Sequence, residues 1–189
     1  MNKTKLVNCF LSGRRKSISK YENQTEELQS KVLQKLIRQA IHTEWGQTHG
    51  FAQVNDYNSF TKTSPINTYE ELKGYIDRMR RGEKDVLWSG KVRWYAKSSG
   101  TTNDKSKFIP VSKECLQDTH YRGGTDAVAL YLGQNPRSRM FDGKALILGG
   151  SHSPNYNLPH SLVGDLSAIL IENVSPFVNH FRIPSKEIA

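Results

Sequence analysis

Two short strand-like runs, Trp94-Tyr95-Ala96-Lys97 and Phe108-Ile109-Pro110-Val111, bracket the stretch Ser98-Ser99-Gly100-Thr101-Thr102-Asn103-Asp104-Lys105-Ser106-Lys107. No other segment limits the fold as much. Alternation of apolar and polar residues predicts strands on both sides. Pro110 cannot donate to a ladder, so the second run belongs at a sheet edge or a strand end. Between the strands, four hydroxyls surround one glycine and two lysines follow. Backbone N–H groups around a glycine, Ser/Thr hydroxyls and a mobile ammonium are the donors that a phosphate group needs. Gly100 has no second glycine five residues on, so the loop is not GxxxxGK[ST], and GxGxxG is absent as well. A solvated Ser/Thr/Asn turn has the same composition, and on the loop alone both readings stand.

Charge concentrates around this loop. The chain carries 27 basic and 18 acidic residues, a net +9. From Arg78 to Lys113 there are ten basic residues against three acidic ones, so most of the excess lies there. A compact anionic ligand fits that distribution at least as well as a long polyanion. No helix-turn-helix, RNA-recognition signature or zinc finger is present, and aromatics are not clustered with arginines along the chain. Specific nucleic-acid binding is therefore not expected. A basic nucleic-acid-binding or protein-interaction module without catalysis is the alternative function class.

With 36% apolar residues the chain can bury a core, and no apolar run approaches the roughly 20 residues of a membrane span. The start, MNKTKLVNCFLSGRRKS, has a cationic beginning, but LVNCFL is shorter than a signal-peptide core of about 7–15 residues. A cytoplasmic location without a membrane partner is expected. Cys9 and Cys115 form neither a disulfide framework nor a metal set and read as small packing residues. Six histidines offer no HExxH and no zinc spacing. His152 and His160 share one loop without a third ligand, so structural or solvent roles are expected and no metal-ligating residue is assigned.

Residues 22–45 predict an amphipathic helix with Leu28, Val32, Leu36 and Ala40 on one stripe and Leu33, Ile37 and Ile41 beside it. Thr25 is the expected cap, and Gly46 and Gly50 the expected stop. A second helix, Tyr69 to Arg80, is announced by the capping box Thr68-x-x-Glu71, with Leu72, Tyr75, Ile76 and Met79 on its face. VLWSGKVRWYAK predicts strands separated by Ser89-Gly90. A third helix runs from Lys113 towards Leu132, capped by Ser112. Its Gly123-Gly124 pair costs about 1 kcal/mol per glycine against alanine and suggests a close approach to another element. GKALILGG reads as a buried strand and SHSPNYNLPHS as a polar loop. LVGDLSAILI is open between strand and helix, and FVNHFRIPSKEIA shows no finishing element. The sum is an α/β fold, with mixed α+β as a variant: a helical region over 1–64, then an α/β segment over 65–189 that carries the loop at 98–107.

The segment from Pro65 to Pro110 closely resembles the first signature region of the auxin-responsive-promoter family, the acyl-acid amido synthetases. The likeness is carried by Pro65, Tyr69-Glu70-Glu71-Leu72-Lys73, Tyr75-Ile76-Asp77-Arg78-Met79, Gly82-Glu83, Leu87-Trp88 and Ser98 to Pro110. It is specific over about 50 residues and looser elsewhere. The resemblance implies an acyl-adenylating fold and a two-step reaction. ATP, with Mg²⁺, activates a carboxylic acid as an acyl-adenylate, and an amine, usually of an amino acid, then takes the acyl group. It implies that Ser98, Ser99, Thr101 and Thr102 donate to phosphate oxygens and that Gly100 allows close backbone approach. Lys105 or Lys107 would offset charge on the departing pyrophosphate. Asp104 stands near a position where relatives tend to carry glycine. The family's later signatures find no convincing copy in these 189 residues. The chain is therefore expected to correspond to part of the large N-terminal domain, to be inert alone and to be capable of self-association. Tyr121, Arg122 and Asp126 are candidate acyl-pocket residues, with ordinary helix-face roles as the alternative.

Overall fold

A computed structural model describes residues 3–98 and 106–185. Along the chain run α1 (Lys3–Phe10), α2 (Ser12–Ile18), α3 (Lys20–Asn23), α4 (Thr25–Ala40), α5 (Glu44–Thr48), α6 (Tyr57–Thr63) and α7 (Tyr69–Arg80). Then come β1 (Trp94–Lys97), β2 (Phe108–Val111), α8 (Arg122–Gln134), β3 (Ala145–Leu146), β4 (Leu162–Gly164), α9 (Leu166–Glu172), α10 (Pro176–His180) and β5 (Arg182–Ile183). The fold is mixed α/β. It divides into two units: residues 25–113 with 152–165, and the described residues of 1–24, 114–151 and 166–189.

In the first unit, the predicted capping box sets the start of α7. The Thr68 N–H donates to Glu71 Oε2 at 2.6 Å, and the Glu71 N–H donates back to Thr68 Oγ1 at 3.4 Å. These bonds satisfy two donors that a helix start leaves orphaned. The predicted face is the buried one. Ile76 and Met79 join Val86, Val92, Tyr95 and Val163 in one cluster, with Tyr69, Leu72, Tyr75, Leu87, Trp88 and Phe108 packed against it. Each large apolar side chain so buried contributes about 1.5–3 kcal/mol. Above this cluster lies a three-stranded sheet in the order β2-β1-β4. β1 pairs antiparallel with β2, from Trp94↔Val111 to Lys97↔Phe108, and parallel with β4, from Trp94↔Leu162 to Ala96↔Gly164. β2 is an edge strand, as Pro110 demands.

Four expectations for this unit are corrected. The first helix covers Thr25–Ala40, so Thr25 is helical and not a cap. Its buried side is Ile37 and Ala40 with Leu33 and Ile41, packed with Phe51, Val54 and Phe60, while Val32 (57% exposed) and Leu36 (44%) face out. Two apolar stripes compete on that helix, and only one meets a partner. Gly46 does not end the helix: it lies inside α5, where a Cβ would stand 2.0 Å from the carbonyl oxygen of Ala40. Residues 86–91 form no strand. Asp85 and Gly90 both have positive φ (56° and 75°), and Asp85 Oδ1 accepts from the Gly90 N–H at 2.7 Å, closing a turn that buries Val86.

The second unit is organised by α8, entered through a π-helical stretch, Cys115–Tyr121. The basic residues near the start of the chain serve packing here. Arg14 on α2 is ion-paired with Asp126, with a second contact of 2.7 Å, and the Arg15 side chain lies where a Cβ on Gly133 would stand. Gly123 and Gly124 mark no close approach, since a Cβ at either would meet nothing within 4 Å. GKALILGG is not a buried strand. It yields the two-residue β3, paired parallel with β5, and leaves Leu146 72% and Leu148 80% exposed. LVGDLSAILI is both of its alternatives, β4 and then α9, with the change at Asp165. The last segment does form elements: Ser175 caps α10, and β5 follows. Cys9 is exposed, against the packing role expected of it, whereas Cys115 is half-buried and burial pushes its thiol up. Among the described residues no helix is long and apolar enough to cross a membrane.

Candidate functional site

β1 and β2 deliver the two ends of the hydroxyl-rich loop to one place. The Ser98 N–H donates to the carbonyl of Lys107 at 3.0 Å, extending the β1–β2 ladder by one rung. Of the candidate residues, Ser98 and Lys107 are therefore neighbours at the mouth of the hairpin. Ser99, Gly100, Thr101, Thr102 and Lys105 lie outside the described residues, as does Asp104.

Below that mouth, cations rest on aromatic rings. Lys97 Nζ lies 4.4 Å from the centroid of Tyr156, Lys107 Nζ 5.6 Å from that of Tyr69, and the Arg80 guanidinium 3.9 Å from that of Phe108. Arg80 also donates to the carbonyl of Tyr156 at 2.6 Å, and the Phe108 N–H donates to the Tyr69 hydroxyl oxygen at 2.9 Å. Phe108 and Tyr156 stand 5.6 Å apart. A cation over a ring gains about 0.5–1 kcal/mol at exposed sites and more when desolvated. The consequence is chemical as well as structural. A ring positions an ammonium without neutralising it, whereas a carboxylate would cancel its charge. Among the described residues no ion pair joins Lys97 or Lys107 to a carboxylate.

Not all the local positive charge is free in this way. Arg78 is held between Glu44, with contacts at 2.9 and 2.5 Å, and Glu83. That pairing raises the guanidinium above its ordinary value, through Glu83 first and then Glu44, and lowers both carboxylates. The fold thus sorts the basic run into structural and available charges. Beneath β1, Tyr95 is fully buried and its hydroxyl has no hydrogen-bond partner among the described residues; burial pushes its pKa up to about 12. Among the described residues no group of three or more His, Cys, Asp or Glu is placed to hold a metal.

Tyr69, Leu72, Tyr75, Ile76, Met79, Leu87 and Trp88, all from the segments flanking the loop, belong to the apolar cluster under β1. They are the loop's foundation. Arg80, Lys97 and Tyr156 escaped assignment from sequence. The arginine–aromatic contact exists only in three dimensions, because Phe108 is 28 residues from Arg80, and the Tyr156 carbonyl that Arg80 also reaches is 76 residues away. Tyr121, Arg122 and Asp126 are engaged within the second unit: Tyr121 donates to the Leu170 carbonyl at 2.8 Å, Arg122 pairs with Asp118 at 3.2 Å, and Asp126 holds Arg14.

Residues 14–182 match a family model described as the GH3 family N-terminal domain. Among curated relatives, jasmonoyl-L-amino acid synthetase JAR6 of Nicotiana attenuata is 32% identical over 108 residues, covering 55% of this chain and 19% of its own length. Indole-3-acetic acid-amido synthetase GH3.15 of Arabidopsis thaliana is 32% identical over 93 residues, covering 49% of this chain and 16% of its own. The aligned region thus spans less than a fifth of these relatives. Among solved structures, a GH3.15 acyl acid amido synthetase superposes with a TM-score of 0.67 at 24% identity, over 83% of this chain and 28% of that one. The same protein in complex with 2,4-DB gives 0.66 over 82% and 27%. At that identity the superposition establishes the shared fold.

Proposed function

The chain belongs to the GH3 family through its N-terminal domain, and on that premise we propose that residues 98–107 form the phosphate loop of an ATP-dependent ligase joining a carboxylic acid to an amine. The amine of an amino acid is proposed by the example of the curated relatives, whose names specify acid–amino acid synthetases. In this class of reaction the acid's carboxylate displaces pyrophosphate from ATP to give an acyl-adenylate, and the amine then displaces AMP.

One observation carries the reading: the hairpin mouth unites Ser98 and Lys107 among cations held by aromatic faces instead of carboxylates. That donor set, a serine hydroxyl with ammonium groups beside it, suits phosphate oxygens and does not suit a bare cation. Mg²⁺ is proposed as the companion of the triphosphate, held by phosphate oxygens. Ser98, Ser99, Thr101 and Thr102 donate to phosphate, and Gly100 leaves room for the approach. Lys105 and Lys107 offset the charge that accumulates on departing pyrophosphate, which is electrostatic stabilisation of the transition state. Lys97 shares that field from the end of β1. Because the aligned region is under a fifth of the relatives' length, catalysis is proposed for the longest natural form of the chain and not for these 189 residues by themselves.

Pyrophosphate exchange into ATP, stimulated by a carboxylic acid from a broad panel, tests the proposal on that form. Ser99→Ala with Thr102→Ala should suppress exchange without changing the melting temperature. Lys107→Ala should lower it by about a hundredfold to a thousandfold, the usual scale for losing one stabilising donor. Exchange unchanged in these variants, or absent with every acid, overturns it.

A further inference from the structure

Lys97 ends β1 and is the residue from which the hydroxyl-rich loop departs. A lysine side chain loses much rotamer freedom when it is held in one place. This one is held: its Nζ lies 4.4 Å from the centroid of the Tyr156 ring. Tyr156 closes the short 3₁₀ turn Pro154–Tyr156, inside the polar segment that precedes β4.

That turn is fixed from several sides. The Ser153 N–H donates to the Val163 carbonyl at 2.9 Å, and the Val163 N–H donates to Asn157 Oδ1 at 2.8 Å. The segment is thereby docked on β4 both before and after the tyrosine. His152 bridges to Gly164 and stands 5.7 Å from Trp94, at the start of β1. Arg80, the last residue of α7, donates to the Tyr156 carbonyl at 2.6 Å while its guanidinium lies 3.9 Å from the centroid of Phe108. Phe108 opens β2 directly after Lys107, and its ring is 5.6 Å from that of Tyr156. Tyr156 is thus tied to β4, to α7 and to the strand that leaves the loop. The sheet and Arg80 set the place of the ring, and the ring sets the place of the lysine. Tyr156 is 43% exposed and Lys97 half-buried, so the pair stands open to a solute.

We propose that Tyr156 is a positioning residue of the phosphate loop: its ring holds the Lys97 ammonium at the entrance to residues 98–107, in place for a polyphosphate oxygen. The inference rests on the phosphate-loop reading and adds to it the residue that places Lys97. An ammonium resting on a ring still has N–H donors for phosphate oxygens. A side chain immobilised in advance need not be ordered when the ligand arrives, so the gain appears as affinity.

The test uses the 189-residue chain, with inorganic tripolyphosphate as the probe. In the unliganded chain the Lys97 ε-methylene protons should resonate upfield of their random-coil position, shifted by the ring current of Tyr156. Tyr156→Phe should keep that shift, and Tyr156→Leu should abolish it. Calorimetric titration should then show tripolyphosphate bound about twofold to tenfold more weakly by Tyr156→Leu, the scale of one long side chain left to be ordered on binding. Tyr156→Phe should restore the wild-type affinity. On a Lys97→Ala background Tyr156→Leu should have no further effect, because the ring acts only through the lysine. A random-coil Lys97 shift in the wild type, or wild-type affinity in Tyr156→Leu, overturns the proposal. So does an equal loss on the Lys97→Ala background, since the ring would then serve the structure alone. Failure of the underlying reading has a different signature: Ser99→Ala with Thr102→Ala would bind tripolyphosphate as tightly as the wild type, or the wild type would not bind it saturably. Either result removes the phosphate loop and this inference with it.

Discussion

Two runs of four residues, one mixed and aromatic and one wholly aliphatic, meet opposite fates in this chain. Trp94-Tyr95-Ala96-Lys97 becomes the central strand of three, with Tyr95 0% exposed. Ala145-Leu146-Ile147-Leu148 becomes a two-residue strand with one partner, and its leucines stay largely in solvent. The first run has a strand on each edge and α7 packed beneath it; the second has only the two residues of β5 beside it among the described residues. An apolar run supplies the driving force for burial. Whether it is buried depends on flanking strands and a covering helix face, which come from elsewhere in the chain.

The comparison is most directly broken by paired truncations. Met79→Ala, beneath β1, should cost about 2–5 kcal/mol in denaturant unfolding, whereas Leu148→Ala should stay within about 0.5 kcal/mol. Equal losses would mean that β3 is covered in solution. Glycines give the next contrast. Gly46→Ala drives a methyl into the Ala40 carbonyl and should cost about 1–3 kcal/mol or more. Gly123→Ala adds a methyl to open space inside a helix and should stabilise by up to about 1 kcal/mol. A stabilising Gly46→Ala would remove the close approach assigned to α5.

The smallest effect concerns Tyr95. Its pKa rises on folding from the ordinary 10 to about 12 because burial penalises the phenolate. The folded state therefore holds the proton longer than the unfolded state does. The stability from this group is complete below pH 10 and is lost as pH climbs towards 12. Tyr95→Phe should flatten that part of the alkaline decline and cost little at neutral pH, because among the described residues the hydroxyl has no partner to lose. An unaltered alkaline profile would place the responsible proton elsewhere.

Some of this architecture was legible in the residues themselves. Thr68 and Glu71 announced α7 to the residue, because a capping box closes within four positions. Pro110 announced an edge strand, because a missing N–H has the same meaning in any sheet. The donor set of the loop was equally plain, and so were the motifs that place the chain in its family. The buried side of α4 was not legible, since Leu28-Val32-Leu36 and Leu33-Ile37 are equally apolar and only Phe51 and Phe60 choose between them. Nor was the support for Lys97, whose ring partner Tyr156 is 59 positions along the chain and arrives only when β4 pairs with β1.

The sequence by itself determined some short-range features: the ends of α7, the turn at Ser89-Gly90, the strands on either side of the loop and the chemistry offered around Gly100. Hydrogen bonds and side-chain periodicity act over a few residues, so a few residues specify them. Tertiary structure alone decided which apolar run became core, which cations were spent on carboxylates and which were kept on aromatic faces. Burial and charge pairing depend on neighbours that are distant in sequence. Those neighbours are specified only when the chain has closed on itself.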